Sequence, residues 1–174
     1  MTRDPVSPRY VDVFELARTH GALHGQLPID AMLRLASSLG SREGSLSYEL
    51  QGDVDDHRRP AARLHFGGTV QLVCDRCGGT VPFRLDGDLR YYFVRTEAEL
   101  DRIPVDDSPD EPLLGSARFD VHALIEDEAI LALPISLRHA ACRPAAEAGQ
   151  TAAEGEPERR HPFAVLAQLK SRRQ

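Results

Sequence analysis

The chain has 174 residues, with 27 acidic side chains against 21 Lys and Arg and a formal charge of -6. That length suits one domain with its own core, and the negative balance excludes a protein that coats nucleic acid by bulk charge, which needs clustered Lys and Arg to displace counterions. Three cysteines without framework spacing exclude a disulfide scaffold.

No window approaches the roughly 18 apolar residues that span a bilayer. The start, MTRDPVSPRY, carries no apolar run of the secretory kind. A cytoplasmic location with reduced thiols and no membrane association is therefore expected.

In chain order, a short extended start leads to LPIDAMLRLASSLG, where Ile29, Met32, Leu33 and Leu35 fall near helical spacing between Pro28 and Gly40 and predict a short helix. The period then changes. SLSYELQGDV alternates Leu46, Tyr48 and Leu50, and ARLHFGGTVQLVC sets Leu64, Phe66, Val70 and Leu72 on one face, with Gly67-Gly68 expected as a bulge or bend. VPFRLDGDLRYYFVR carries Val81, Phe83 and Leu85, then Asp86-Gly87 as a turn or bulge, then Tyr91, Tyr92 and Phe93. Successive strands with short connections predict an antiparallel meander.

TEAELDRI reads as one or two helical turns, and FDVHALIEDEAILALP as a helix begun by Asp120 that ends in or passes into an apolar strand closed by Pro134. The expected fold class is α+β, an antiparallel β-meander sheet with a few short helices, forming a single domain over residues 1–142. The Ala, Glu, Gly and Pro-rich stretch 143–160 reads as a flexible linker. Residues 161–174 hold HPFAVLAQLK, with Pro162 at a first helical position and Phe163, Leu166 and Leu169 on one stripe, followed by a basic tail. A helix that short does not persist alone in water, so it docks on its own domain or on a partner.

The sharpest chemical signal is LVCDRCGGTVPF. A redox pair of the thioredoxin type sits at a helix N-terminus, which lowers its thiol pKa; here Gly78-Gly79 and a strand follow Cys77 instead. The same glycines suit a metal knuckle, in which a tight turn lets two thiolates converge on one ion. A closed zinc site needs four ligands, and LRHAAC supplies His139 and Cys142 as a second close pair. Cys74, Cys77, His139 and Cys142 are the predicted metal ligands and Zn2+ the candidate cofactor, with metal-free packing of small sulfur side chains as the competing reading.

Other patterns carry less chemistry. IEDE, from Ile125 to Glu128, reads as a solvated helix face, because neighbours along a helix point different ways. A nucleophile elbow and a Gly-rich phosphate cradle are missing from the sequence, so neither an enzyme nor a small-molecule substrate is expected. HRRPAAR and DLRYYFVR offer Arg58, Arg59, Arg63, Arg90 and Arg95 as candidate RNA contacts, although loop solvation and a core-facing strand compete. The stretch from Thr96 to Pro112 holds Glu97, Glu99, Asp101, Asp106, Asp107, Asp110 and Glu111 against Arg102 alone, and is either a solvated loop or an anchor for a basic partner.

Taken together, GSLSYELQG, LVCDRCGGTVPFRLDGDLRYYFVRTEAELD, FDVHALIEDEAILALPISLRHAAC and HPFAVLAQLK resemble, in order and spacing, the bacterial YceD family, also called large ribosomal RNA subunit accumulation protein. The likeness runs from about Tyr10 to Lys170. It implies a cytoplasmic protein needed for normal accumulation of 23S ribosomal RNA, in a family whose gene commonly neighbours that of ribosomal protein L32. No catalytic residue is established there, and none is carried over. Members differ in how many cysteines follow the LALP segment; this chain has Cys142 alone, which leaves His139 as the fourth ligand.

The expectation is a non-enzymatic factor in large-subunit biogenesis that contacts the large ribosomal subunit precursor, with ribosomal protein L32 and 23S rRNA as candidate partners. The alternatives are an RNA-processing enzyme acting on 23S precursor and a CxxC thiol oxidoreductase.

Overall fold

Apolar alternation drives three long strands into one sheet. In the structure, a computed structural model that describes residues 8–104 and 110–144, these are β3 (Ser45–Val54), β4 (Pro60–Val73) and β5 (Thr80–Val94), preceded at one edge by β2 (Ala22–Pro28). The order is β2-β3-β4-β5-β6, antiparallel as far as β5; β6 (Asp110–Leu114) then pairs parallel to β5. A second, two-stranded antiparallel sheet joins β1 (Tyr10–Val11) to β7 (Phe119–Asp120). With helices α1 (Val13–Arg18), α2 (Leu33–Ser37), α3 (Glu97–Leu100) and α4 (Val121–Leu131), this is the expected α+β class, and the described residues form no closed barrel. None of the helices among them is long and apolar enough to cross a membrane.

The period-2 pattern sends Leu46, Tyr48, Leu50, Leu64, Phe66, Leu85 and Tyr91 to one face, all buried. On that face they meet Val13 and Leu16 of α1, Leu35 of α2, and Val121, Leu124 and Ile125 of α4. Burying each large aliphatic or aromatic side chain is worth about 1.5–3 kcal/mol. The opposite face carries Glu49, Arg63, His65, Asp86 and Asp88 and is exposed.

Several expectations change. Neither Gly67-Gly68 nor Asp86-Gly87 makes a bulge or turn, because the register runs unbroken from Ala61↔Tyr92 to Val73↔Thr80, with Phe66 opposite Gly87. Gly87 instead makes room for the Phe66 ring, whose Cε1 would lie 2.2 Å from an added Cβ. The predicted helix after Pro28 divides at Met32 into a 3-10 turn, Ile29–Ala31, and α2. α4 starts on the Asp120 cap as expected, its side chain accepting from Ala123 N–H at 3.1 Å, but ends at Leu131 without passing into a strand. The linker and docking-helix assignments for 143–160 and 161–174 lie outside the described residues apart from Arg143 and Pro144.

IEDE is a strut. Met32 offers α2 no side-chain cap, and the Glu126 carboxylate fills that role from α4, accepting from the Arg34 and Leu35 N–H groups at 2.7 and 3.2 Å. The Arg34 guanidinium returns to Glu126 at 3.0 Å and also pairs with Asp127.

The β3–β4 hairpin turns on Asp55. Its side chain is 2 % exposed. It accepts from the His57 and Arg59 N–H groups at 3.0 and 2.7 Å and from Arg59 Nε. Burial opposes ionisation, yet these bonds hold the carboxyl below its ordinary pKa. Asp55→Ala should therefore lower stability by about 2–4 kcal/mol at neutral pH. A depressed pKa adds stability above the unfolded value and loses it as pH falls through the folded one, so the gap between wild type and variant should close below about pH 3.9. Urea unfolding of both proteins at a series of pH values measures this; a gap that persists in acid would count against it.

Candidate metal centre

The centre is built where β4 hands over to β5. Cys74 closes β4, and its carbonyl accepts from Gly78 N–H at 2.9 Å while its own N–H donates to Gly79 O at 2.8 Å. Such a turn demands a left-handed residue, and Gly78 supplies it with φ +73°. Cys74 and Cys77 are thereby aimed at the same point.

The second pair arrives from the segment after α4, which is stitched to the turn. Asp75 N–H donates to Leu137 O at 3.0 Å, and the Asp75 carboxylate accepts from Leu137 N–H at 3.2 Å. Arg76 Nη1 donates to Cys142 O at 3.3 Å. His139 and Cys142 are delivered onto the cysteine turn, and the ligand atoms of all four residues lie within 4.8 Å of one another. It is the one such cluster found among the described residues.

The separations match a zinc tetrahedron. With Zn–S near 2.3 Å and Zn–N near 2.0 Å, a tetrahedron has S···S edges of about 3.8 Å and S···N edges of about 3.5 Å. Cys74 Sγ and Cys142 Sγ stand 3.8 Å apart, and Cys77 Sγ and His139 Nδ1 stand 3.4 Å apart. His139 Nε2 is 3.0 Å from Thr80 O, so the proton belongs on Nε2 and the Nδ1 lone pair faces the sulfurs.

The electrostatics also suit a cation. Burial disfavours a thiolate at Cys74, but the N–H groups of Cys77, His139 and Arg76 and the His139 ring overcome it and hold that thiol at about 5. Burial and the neighbouring Cys74 and Cys77 sulfurs push Cys142 upward. A divalent ion would neutralise the charge that Cys74 takes and that its proximity denies to Cys142. All three are free of disulfide bonds, and the Cys74 side chain is turned inward at 1 % exposure.

The candidate RNA contacts separate into two groups. On the open sheet face Arg63 pairs with Asp88, and Arg90 with Asp110 at 3.4 Å. At the end of the sheet Arg59 pairs with Asp55, Arg95 lies over the Phe14 ring at 4.2 Å, and Arg58 occupies the hairpin tip with φ 61°. Of the acidic group, Glu97 and Glu99 lie on α3, where Glu99 accepts from Arg95 N–H at 2.9 Å. Asp101 caps α3, and Asp110 and Glu111 lie on β6. Asp106 and Asp107 lie outside the described residues. Sequence reasoning missed Asp75; the Asp-x-Cys run gave no sign that Asp75 would clamp Leu137.

No solved structure matches the chain. A protein-family model described as "Large ribosomal RNA subunit accumulation protein YceD" matches residues 62–170, a span that contains all four clustered ligands. With more than half of its length so matched, the chain belongs to the YceD family, whose description ties it to the accumulation of large-subunit ribosomal RNA.

Proposed function

We propose that the protein is a non-enzymatic factor of large-subunit biogenesis, a zinc-stapled scaffold that holds a basic ribosomal protein, with L32 the first candidate, and unpaired 23S rRNA within the pre-50S particle. Family membership carries the ribosomal part of this reading. The Cys3His cluster carries the zinc part: its donor set is one of those structural zinc takes, and its role is to tie the β4–β5 turn to the segment after α4. A net charge of -6 and the acidic run before β6 favour a basic protein as the principal contact, because attraction there replaces repulsion from phosphate.

The test follows the charge. Glu97→Gln combined with Asp101→Asn, Asp106→Asn and Asp107→Asn spares Glu99 and Asp110, which are engaged within the fold. This variant should co-sediment with pre-50S particles at least about 5-fold less well, with the deficit shrinking as salt rises. Unchanged sedimentation at every salt concentration would remove the acidic surface from the proposal. Incubation of purified protein with 23S precursor and magnesium should produce no new RNA ends; a defined cleavage product would replace the scaffold with an enzyme. A reversible Cys74–Cys77 disulfide in zinc-loaded protein would favour an oxidoreductase.

A further inference from the structure

Two adjoining cavities, of about 620 and 500 Å³, lie at the end of the sheet where α1, the β3–β4 hairpin and the end of β5 converge. They share Phe14, Pro60 and Arg95, so they form one groove divided by the Arg95–Phe14 stack. Each falls within the range of about 300–1,000 Å³ typical of pockets for small organic groups. Five arginines line the groove against three carboxylates, a local excess of positive charge in an acidic chain.

All three carboxylates are engaged: Asp12 caps α1, Glu15 pairs with Arg18 at 2.6 Å, and Glu99 accepts from Arg95 N–H. Arg58, Arg95 and Arg102 make no ion pair among the described residues. Charge in the groove is therefore available to an incoming anion.

The geometry of the guanidiniums decides which anion. Arg59 lies 3.4 Å above the Tyr92 ring, and its Nε is taken by Asp55. Tyr92 is 4 % exposed beneath it, while the Arg59 side chain is 37 % exposed, so the plane offers its outer face. Arg95 likewise has its guanidinium carbon over the Phe14 ring, 4.2 Å from the centroid. A carboxylate seeks the forked edge of a guanidinium, whereas a nucleobase stacks on its plane. Two guanidiniums seated over aromatic rings, with the unpaired cations Arg58 and Arg102 lining the two halves of the groove, suit base stacking with phosphates on the outer cations.

We infer that this groove binds single-stranded RNA, with bases on the Arg59 and Arg95 planes and phosphates on Arg58 and Arg102. The inference rests on the reading of the protein as a pre-50S factor and narrows it. Arg63 and Arg90, paired on the open face of the sheet, fall outside the RNA surface, and Arg102 enters it.

The experiment is fluorescence anisotropy of a labelled decauridylate with full-length, zinc-loaded protein over a salt series. Wild type should bind saturably, more tightly than it binds an RNA duplex or inorganic polyphosphate of similar charge. Arg58→Asn keeps the left-handed tip, since Asn tolerates positive φ, and Arg102→Gln alters an exposed side chain. Together they should weaken binding about 10-fold or more and reduce the salt slope by about 1.4, near 0.7 for each lost phosphate contact. Phe14→Leu, which leaves the charge intact, should weaken decauridylate binding about 5-fold or more and leave polyphosphate binding unchanged. Arg63→Gln with Arg90→Gln should change affinity less than about 2-fold.

Absence of saturable decauridylate binding by wild type, equal binding of polyphosphate or oligoglutamate, or a loss confined to the Arg63/Arg90 variant would overturn the groove. Failure of the wider reading shows separately, as normal 23S rRNA levels in cells lacking the protein. Normal levels in cells carrying Arg58→Asn with Arg102→Gln would leave the biogenesis role standing while removing the groove from it.

Discussion

One zinc ion per chain should accompany the untagged protein through purification, and Cys74→Ser should abolish it. Cys74 is the most buried of the four clustered residues, and its sulfur stands 3.8 Å from Cys142 Sγ, so its loss removes the inner corner of the cluster. The zinc-free variant also loses the tie between two chain segments more than sixty positions apart, as the 68-residue separation of Cys74 and Cys142 shows. We expect a loss of about 3 kcal/mol or more, which for a domain of this size lowers Tm by roughly 6–12 °C. The sheet itself should persist, because its buried residues lie mainly in β3, β4 and β5 and need no metal. Elemental analysis with thermal unfolding measures both parts. Wild type without zinc, or Cys74→Ser as stable as wild type, would refute the staple.

Gly52→Ala should be as damaging, although it removes nothing. An added Cβ at Gly52 would stand 2.2 Å from Leu16 O and 2.5 Å from its carbonyl carbon. Both are backbone atoms of α1, and α1 is itself pinned by Gly52 N–H donating to Gly21 O at 2.8 Å and by Gly21 N–H donating to Leu16 O at 2.9 Å. Relief requires lifting the helix from the sheet, at a cost of about 3 kcal/mol or more. Gly78→Ala is the control: nothing lies within 4 Å of its Cβ, so it pays only the strain of a left-handed backbone, about 1–2 kcal/mol. Chemical denaturation of the two variants should rank them in that order, and an equal or reversed ranking would show that α1 yields.

The strands β3, β4 and β5 were legible because one face is buried and the other wet, which writes burial into every second residue. The Asp120 cap was legible because it is local, and the clustering of Cys74, Cys77, His139 and Cys142 because few residue types offer such donors and each pair is close in sequence. What escaped depends on distant partners. α1 spans only six residues, and its cap and packing against β3 decide it more than any period. β2 exposes His24 and Gln26 around Gly25, so its register with β3 is what makes it a strand. Gly67-Gly68 and Asp86-Gly87 read as breaks because glycine signals turns; here Gly68 and Gly87 clear space for atoms of neighbouring strands. The division of the arginines was invisible for the same reason: Arg63 and Asp88 become neighbours only across the β4–β5 register.

The ladder between β1 and β7 joins Tyr10 to Asp120, and the cysteine cluster joins Cys74 to Cys142. During synthesis, β3, β4 and β5 can zip as they emerge, since each of these strands meets its predecessor after a short turn, whereas β2 and β3 are separated by the 3-10 turn and α2. The first residues of the domain must wait for β7, and the cysteine turn must wait for His139 and Cys142. Until then a nascent chain presents Cys74 and Cys77 without their two partners, so a chain truncated before residue 139 would leave the four-residue cluster half built.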